Sequence, residues 1–247
     1  GGETDYIKGI ERVSIQVFDG TNWSYGRDIA LALNVSEIAP DANLTNYFHF
    51  AWAYGTEGAD SFNAATDVSA TTRGLMDTHK RGVYVEGAAG DDSITGSAYG
   101  DSLSGGKGTN YIDGGANGGT SMGGGMALDN LRVTVASQAE SAAIAVTNLD
   151  GTGSEADIAA FNKGYTHKLV NGATETDYFK NIEAVDVQIF DGTNYTYGRR
   201  INLAVTVNET DLSNPDHAND TWLANVTGTA STDVIDMSGN TALLSDA

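Results

Sequence analysis

The chain has 247 residues, 40% of them hydrophobic, which allows one large or two ordinary domains with a buried core. With 33 acidic against 13 basic residues its formal charge is −20, a balance that opposes compaction unless cations neutralise it and makes nucleic acid or an anionic membrane a poor partner. Cysteine is absent, so disulfides are excluded and bound metal is the natural staple in their place; no apolar run reaches the roughly 18 residues of a spanning helix.

Gly1-Gly2 open the chain without an initiator Met or a signal peptide, and both ends are expected to continue in a longer protein. Val13, Ile15 and Val17 alternate with Ser14 and Gln16, the period of a half-buried strand. Asp19-Gly20 then predicts a hairpin turn, with Asn22 to Tyr25 returning and Ile29, Leu31 and Leu33 alternating after it. Gly55 to Asn63 reads GTEGADSFN, with Asp60 sixth and Phe62 eighth. Ala64 to Arg81 carries only a weak signal and is expected as an excursion, and Gly82 to Glu86 as one strand.

From Gly87 to Met122 the sequence falls into four contiguous blocks of nine: GAAGDDSIT, GSAYGDSLS, GGKGTNYID and GGANGGTSM. Asp92, Asp101 and Asn110 stand sixth in the first three, and Ile94, Leu103 and Ile112 eighth. A flexible Gly-rich linker would not repeat an aliphatic residue every ninth position. The period resembles the RTX, or haemolysin-type calcium-binding, repeats. That resemblance implies a parallel β-roll in which six residues turn and three form a strand, with the eighth side chain inside and Ca²⁺ held by turn carbonyls and the sixth side chain.

One block is half a coil, so turns two blocks apart stack. Asp92 is expected to share an ion with the turn of Asn110, and Asp101 to face the turn at Gly114 to Gly119. Because Ca²⁺ takes 6–8 oxygens, one turn does not suffice; carbonyls of Gly87, Gly90, Gly96, Gly105 and Gly108 are expected to join Asp60, Asp92, Asp101, Asn110 and Asp233. Tyr99 replaces Gly at the fourth position of the second block, and Gly119 replaces Asp in the fourth, whose turn is expected to be a weak donor.

Beyond the blocks, Leu131 to Val135, Ala142 to Thr147 and Thr166 to Val170 read as strands, and Ser154 to Phe161 as a short helix. Thr176 to Val205 then repeats Thr4 to Leu33 without a gap, 172 residues on, including Val185, Val187, Ile189, the Asp191-Gly192 turn and Tyr195 to Tyr197. Gly228 to Asp236 repeats the Gly55 nonapeptide, with Asp233 sixth and Ile235 eighth. The expected fold is all-β: a calcium-binding parallel β-roll alternating with antiparallel β-sheet modules, in a tandem array of about 172 residues per unit. Its parts would be the end of a β module at 1–54, a roll at 55–125 with an excursion at 64–86, a complete module at 126–227 and the start of a second roll at 228–247. The string I/F-E-x-V followed by the F-D-G hairpin resembles segments that flank RTX repeats in large secreted bacterial proteins.

Enzyme motifs are thin. GTSMG at Gly119 to Gly123 fits a nucleophile elbow around Ser121, but GGGM follows where a helix belongs, and His49, His79, His167 and His217 stand alone. Neither H-E-x-x-H nor thiols offer a zinc site. Asp91-Asp92 and Glu175 with Asp177 are carboxylate pairs by sequence proximity only, which does not supply a glycosidase cleft. Trp23, Tyr25, Tyr195 and Tyr197 could stack on sugars, although cross-strand pairing explains them more simply. The expectation is a non-catalytic, calcium-stabilised structural or adhesive module of a secreted bacterial surface protein, exported by type I secretion and folding outside. Its partners would be calcium ions, neighbouring repeats or further copies, and a glycan or cell-surface ligand. The alternatives are the RTX region of a secreted enzyme and a glycan-binding module.

Overall fold

A computed structural model describes residues 12–39, 44, 47–116, 128–203, 206–209 and 224–227. Asp233 and the expected second roll lie outside the described residues, as do Ser121, Gly119 and His217. The chain enters as a hairpin, β1 (Arg12–Phe18) and β2 (Trp23–Ala30), turned at Asp19-Gly20. Asp19 Oδ1 accepts the N–H groups of Thr21 and Asn22, both at 2.8 Å, and Gly20 takes φ +97°, a conformation that strains any residue with a Cβ.

β3 (Asn34–Glu37) and β4 (His49–Tyr54) pair antiparallel, and β5 (Ser61–Asn63) follows. The expected excursion folds as α1 (Ala64–Asp67) and α2 (Ala70–His79), started by Asn63 and Ser69, whose side chains accept the N–H of Ala65 and Thr72. The strand expected at 82–86 is β6 (Gly82–Glu86), and the blocks give β7 (Ser93–Thr95), β8 (Ser102–Ser104) and β9 (Gly108–Asp113). After them come β10 (Asn130–Val135), α3 (Gln138–Ala143), β11 (Ala145–Asn148), α4 (Glu155–Asn162), β12 (His167–Asn171), β13 (Glu175–Lys180), β14 (Ala184–Phe190) and β15 (Tyr195–Asn202). The predicted short helix is α4, with Ser154 and Asp157 forming a reciprocal capping box. A final pair, β16 (Thr206–Glu209) and β17 (Ala224–Thr227), reproduces the pairing of β3 with β4 residue for residue.

Strands take 46% of the structure and helices 17%, so the chain is β-rich. Two large sheets share β3 to β15, while β1 with β2 and β16 with β17 pair separately. β4, β6, β8, β10 and β14 run parallel in the first, ended by antiparallel β3 and β15; β5, β7, β9 and β13 run parallel in the second, extended by antiparallel β12 and β11. The chain passes from one sheet to the other and back, so turns at each edge lie above one another.

Between the sheets lies the core. Ala53, Val85, Leu103, Leu131 and Val185 are successive partners across the first sheet, and Phe62, Ile94, Ile112 and Phe179 across the second; none of the nine is more than 2% exposed. Each of the nine parallel strands thus contributes an apolar side chain to the inner face, at about 1.5–3 kcal/mol for each large one fully buried.

The segment 126–227, expected as an antiparallel module, divides differently. β10, β13 and β14 continue the two parallel sheets, while α3, β11, α4 and β12 form an insertion between β10 and β13. Likewise β4, placed within 1–54, is the first parallel strand of its sheet. Apolar alternation reports one buried face and is silent about the direction of the neighbouring strand. The Asp-Gly hairpin, β14 with β15, is antiparallel as the turn requires, and so are the pairs that the insertion makes, β11 with β12 and β12 with β13.

Candidate metal centre

In seven of the nine parallel strands, all but β4 and β6, an acid or amide stands two residues before a core side chain: Asp60 before Phe62, Asp92 before Ile94, Asp101 before Leu103, Asn110 before Ile112, Asp129 before Leu131, Asp177 before Phe179 and Glu183 before Val185. Stacking sorts them into two ladders. At one edge the N–H of Asp60 donates to Asp92 Oδ1 (2.8 Å), that of Asp92 to Asn110 Oδ1 (3.1 Å), and Asn110 Nδ2 to Asp177 Oδ1 (2.8 Å). At the other edge the N–H of Asp101 donates to Asp129 Oδ1 (2.8 Å) and that of Asp129 to Glu183 Oε2 (2.8 Å).

Asp92, Asp101, Asn110, Asp129 and Asp177 are at most 1% exposed. Asp92, Asp129 and Asp177 each use Oδ1 in the ladder, and each leaves Oδ2 buried without a hydrogen-bond partner. A buried carboxylate oxygen with nothing opposite is a costly arrangement that a cation would relieve. Asp60 and Asp101 differ, because position two of their turns is a hydroxyl residue. Asp60 Oδ2 accepts the N–H (2.5 Å) and Oγ1 (2.9 Å) of Thr56, and Asp101 accepts the N–H (2.5 Å) and Oγ (2.8 Å) of Ser97 and the N–H of Val83 (2.6 Å).

Charge follows burial. Desolvation pushes the Asp92 carboxyl up to about 7. It also raises Asp101, Asp129 and Asp177, the last two further lifted by the neighbouring carboxylates Asp101 and Glu175. Such groups need a proton or a cation for company. The turn glycines bring carbonyls into reach. A Cβ on Gly87 would lie 2.2 Å from Asp92 Oδ2 and 2.5 Å from the Gly105 carbonyl oxygen, and one on Gly96 2.3 Å from Asp101 Oδ2 and 2.4 Å from that of Gly114. Gly105 lies as close to the Asn110 side chain, and Gly90 and Gly108, at φ +113° and +121°, stack with the Gly90 oxygen against Gly108.

Asp92 stacks on Asn110 and Asp101 lies beside Gly114, the neighbours expected of turns two blocks apart. Asp129, Asp177 and Glu183 were absent from the sequence-derived ligand set. For Asp177 a signal existed: Gly172 to Lys180, GATETDYFK, has Gly first, Asp sixth and Phe179 eighth. For Asp129 the only trace was an acid two residues before a core Leu. Among the described residues no three His, Cys, Asp or Glu side chains converge as a metal-holding group, so a cation here would draw on Asn110 and backbone carbonyls as well as carboxylates.

Other candidates stay apart from both ladders. His49, His79 and His167 pack on the rings of Tyr84, Phe50 and Phe179, and burial lowers His49 to about 4. Trp23 lies 4.9 Å from Phe18 and Tyr195 4.6 Å from Phe190 between ring centroids, the cross-strand pairing expected of hairpin aromatics. Comparison with protein-family models, curated proteins and solved structures returns no match.

Proposed function

We propose that this chain is a calcium-stabilised structural or adhesive module of a secreted bacterial surface protein, without catalytic activity of its own, which folds on meeting calcium outside the cell. One observation carries the reading: three carboxylates, Asp92, Asp129 and Asp177, each present a buried, unpartnered Oδ2 within a ladder of turns. These, with Asn110 and the turn carbonyls, would hold the ions; Asp60 and Asp101 would support them through Thr56 and Ser97. A bound hard cation supplies positive charge where strand stacking has collected negative charge. The net charge of −20 and the absence of cysteine support the same reading.

If calcium outside stands tenfold above a dissociation constant of the extracellular-module range, each site adds RT ln 11, about 1.4 kcal/mol. Several sites would then rival the ~5–15 kcal/mol stability of an ordinary domain. The test is a calcium titration followed by circular dichroism, with EGTA reversal and a magnesium control, on the chain and on Asp92→Ala/Asp101→Ala. The chain should gain β-structure cooperatively near millimolar calcium and the double variant should not. An unchanged calcium response in the variant would sink the assignment.

A second reading, carbohydrate recognition, is favoured by an open cleft of 930 Å³ lined by Glu86, Arg132, Glu140, Asn171, Phe190 and Tyr195, where charged and amide groups meet two rings. A glycan array separates the readings, since a purely structural module would bind none.

A further inference from the structure

The two Asp-Gly hairpins have one sequence pattern and one geometry, yet different surroundings. β1 pairs β2 in the same register as β14 pairs β15, and both ladders shift at the same place, between Ile15 and Gln16 and between Val187 and Gln188. The second hairpin is covered. β14 lies parallel to β10 over six residues, and Val185 and Val187 are fully buried. Among the described residues β1 and β2 form a two-stranded sheet by themselves, with Ile15 37%, Val17 51% and Phe18 50% exposed. The aromatics on the second strand supply the control: Trp23 and Tyr25 are 67% and 72% exposed, and their counterparts Tyr195 and Tyr197 are 64% and 71%. The difference between the copies is greatest at the apolar positions that β14 places in the core, where Val185 and Val187 are fully buried and Val13 and Ile15 are not.

We infer that β1 is a docking edge for a strand of the kind this chain carries as β10, presented by a second roll of the same sequence. The register is fixed by the covered copy: Leu131 beside Val13, Val133 beside Ile15 and Val135 beside Val17, parallel. Two further contacts of the second hairpin point to the same occupant. Gly198 lies under α3, where an added Cβ would meet Ser141 Oγ at 2.6 Å, and the Arg199 guanidinium donates to the Ile144 carbonyl just beyond α3. The first hairpin keeps Gly26 and Arg27 at those positions. A two-stranded hairpin alone is marginal in water, and an exposed apolar edge invites strand addition. Docking would make the first sheet of one roll end on the hairpin that opens the next, so that successive rolls join without a flexible linker. This rests on strand pairing alone and is independent of whether calcium binds.

The test joins residues 1–172 ahead of Gly1 of the full chain, which sets a β10 ahead of the second β1 at the spacing that separates β10 from β14. Amide hydrogen exchange is compared by mass spectrometry with that of the 247-residue chain. The second-copy β1 amides should slow by at least about tenfold, toward the rate of β14, which reports folding in both chains. Ile15→Asp in the second copy should abolish that protection, while in the 247-residue chain it should leave exchange unchanged. Exchange of β1 at the rate of the shorter chain, with β14 protected in both, would overturn the inference.

Discussion

Replacing Asp129 by Asn separates a cation-holding ladder from one that is merely hydrogen-bonded. Asn keeps an Oδ1 able to accept the Asp101 N–H, now 2.8 Å away, and removes the charge that stands between Asp101 and Glu183. Without calcium, relief of a buried like-charge contact should stabilise the fold by about 1 kcal/mol. With calcium that gain is offset. Loss of a charged ligand that weakens a site ten- to a hundredfold lowers its contribution from RT ln 11 to between RT ln 2 and almost nothing, a loss of about 1.0–1.4 kcal/mol that cancels the gain found without the ion. For a chain of this length each kcal/mol moves Tm by about 2–4 °C. Melting followed by circular dichroism, in calcium and in EGTA, should show the Asp129→Asn variant shifted upward in EGTA and level with or slightly below the parent in calcium. An equal upward shift in both media would refute the cation ladder and leave the carboxylates as hydrogen-bond acceptors only.

Leu103→Ala empties a fully buried site between Val85 and Leu131 and should cost about 2–5 kcal/mol in urea unfolding, with or without calcium. Asn110→Asp removes the amide that donates to Asp177 and adds a charge beside it; stability in EGTA should fall by about 1–3 kcal/mol, and the calcium midpoint should move to lower concentration. Asp157 is held below the usual carboxylate range by its hydrogen bond with Lys168 first, with Ser154 and Tyr178 helping against burial. A lowered folded pKa stabilises above the unfolded value near 3.9 and is lost as pH falls through and below it. Asp157→Asn should therefore cost about 1–2 kcal/mol at pH 7, and urea titrations should show the cost shrinking as pH is lowered toward 3.

The nine-residue period carries local geometry well. It places Ile94 and Ile112 in one sheet and Leu103 in the other, stacks Asp92 on Asn110, and puts glycine where turns meet. It fails where an insertion breaks the count. α3, β11, α4 and β12 stand between β10 and β13, so the turns bearing Asp129 and Asp177 escape a contiguous repeat. The helices at 64–79 were hidden for another reason. α2 has Thr71, Thr72 and Gly74 among its ten residues, a weak helical composition made viable by the Ser69 cap, the Lys80 left-handed stop and the Glu37 carboxylate that accepts from Ser69 and Thr72.

Parallel stacking itself creates the electrostatic problem that the turns must solve. Strands of a sheet lie about 4.8 Å apart, so one acid per turn sets like charges near that spacing. At an effective dielectric constant of 20 two such charges repel by about 3 kcal/mol. One edge answers this with an amide: Asn110 stands between Asp92 and Asp177 and donates Nδ2 to the latter. The other edge has no such break, since Asp101, Asp129 and Glu183 follow one another as acids. The ladder hydrogen bonds use one oxygen each of Asp129 and Glu183 and leave the charge in place. At neutral pH a ladder built this way needs a proton or a positive charge at that edge, so under the proposed calcium reading the Asp101–Asp129–Glu183 side is the one that would depend most on the ion.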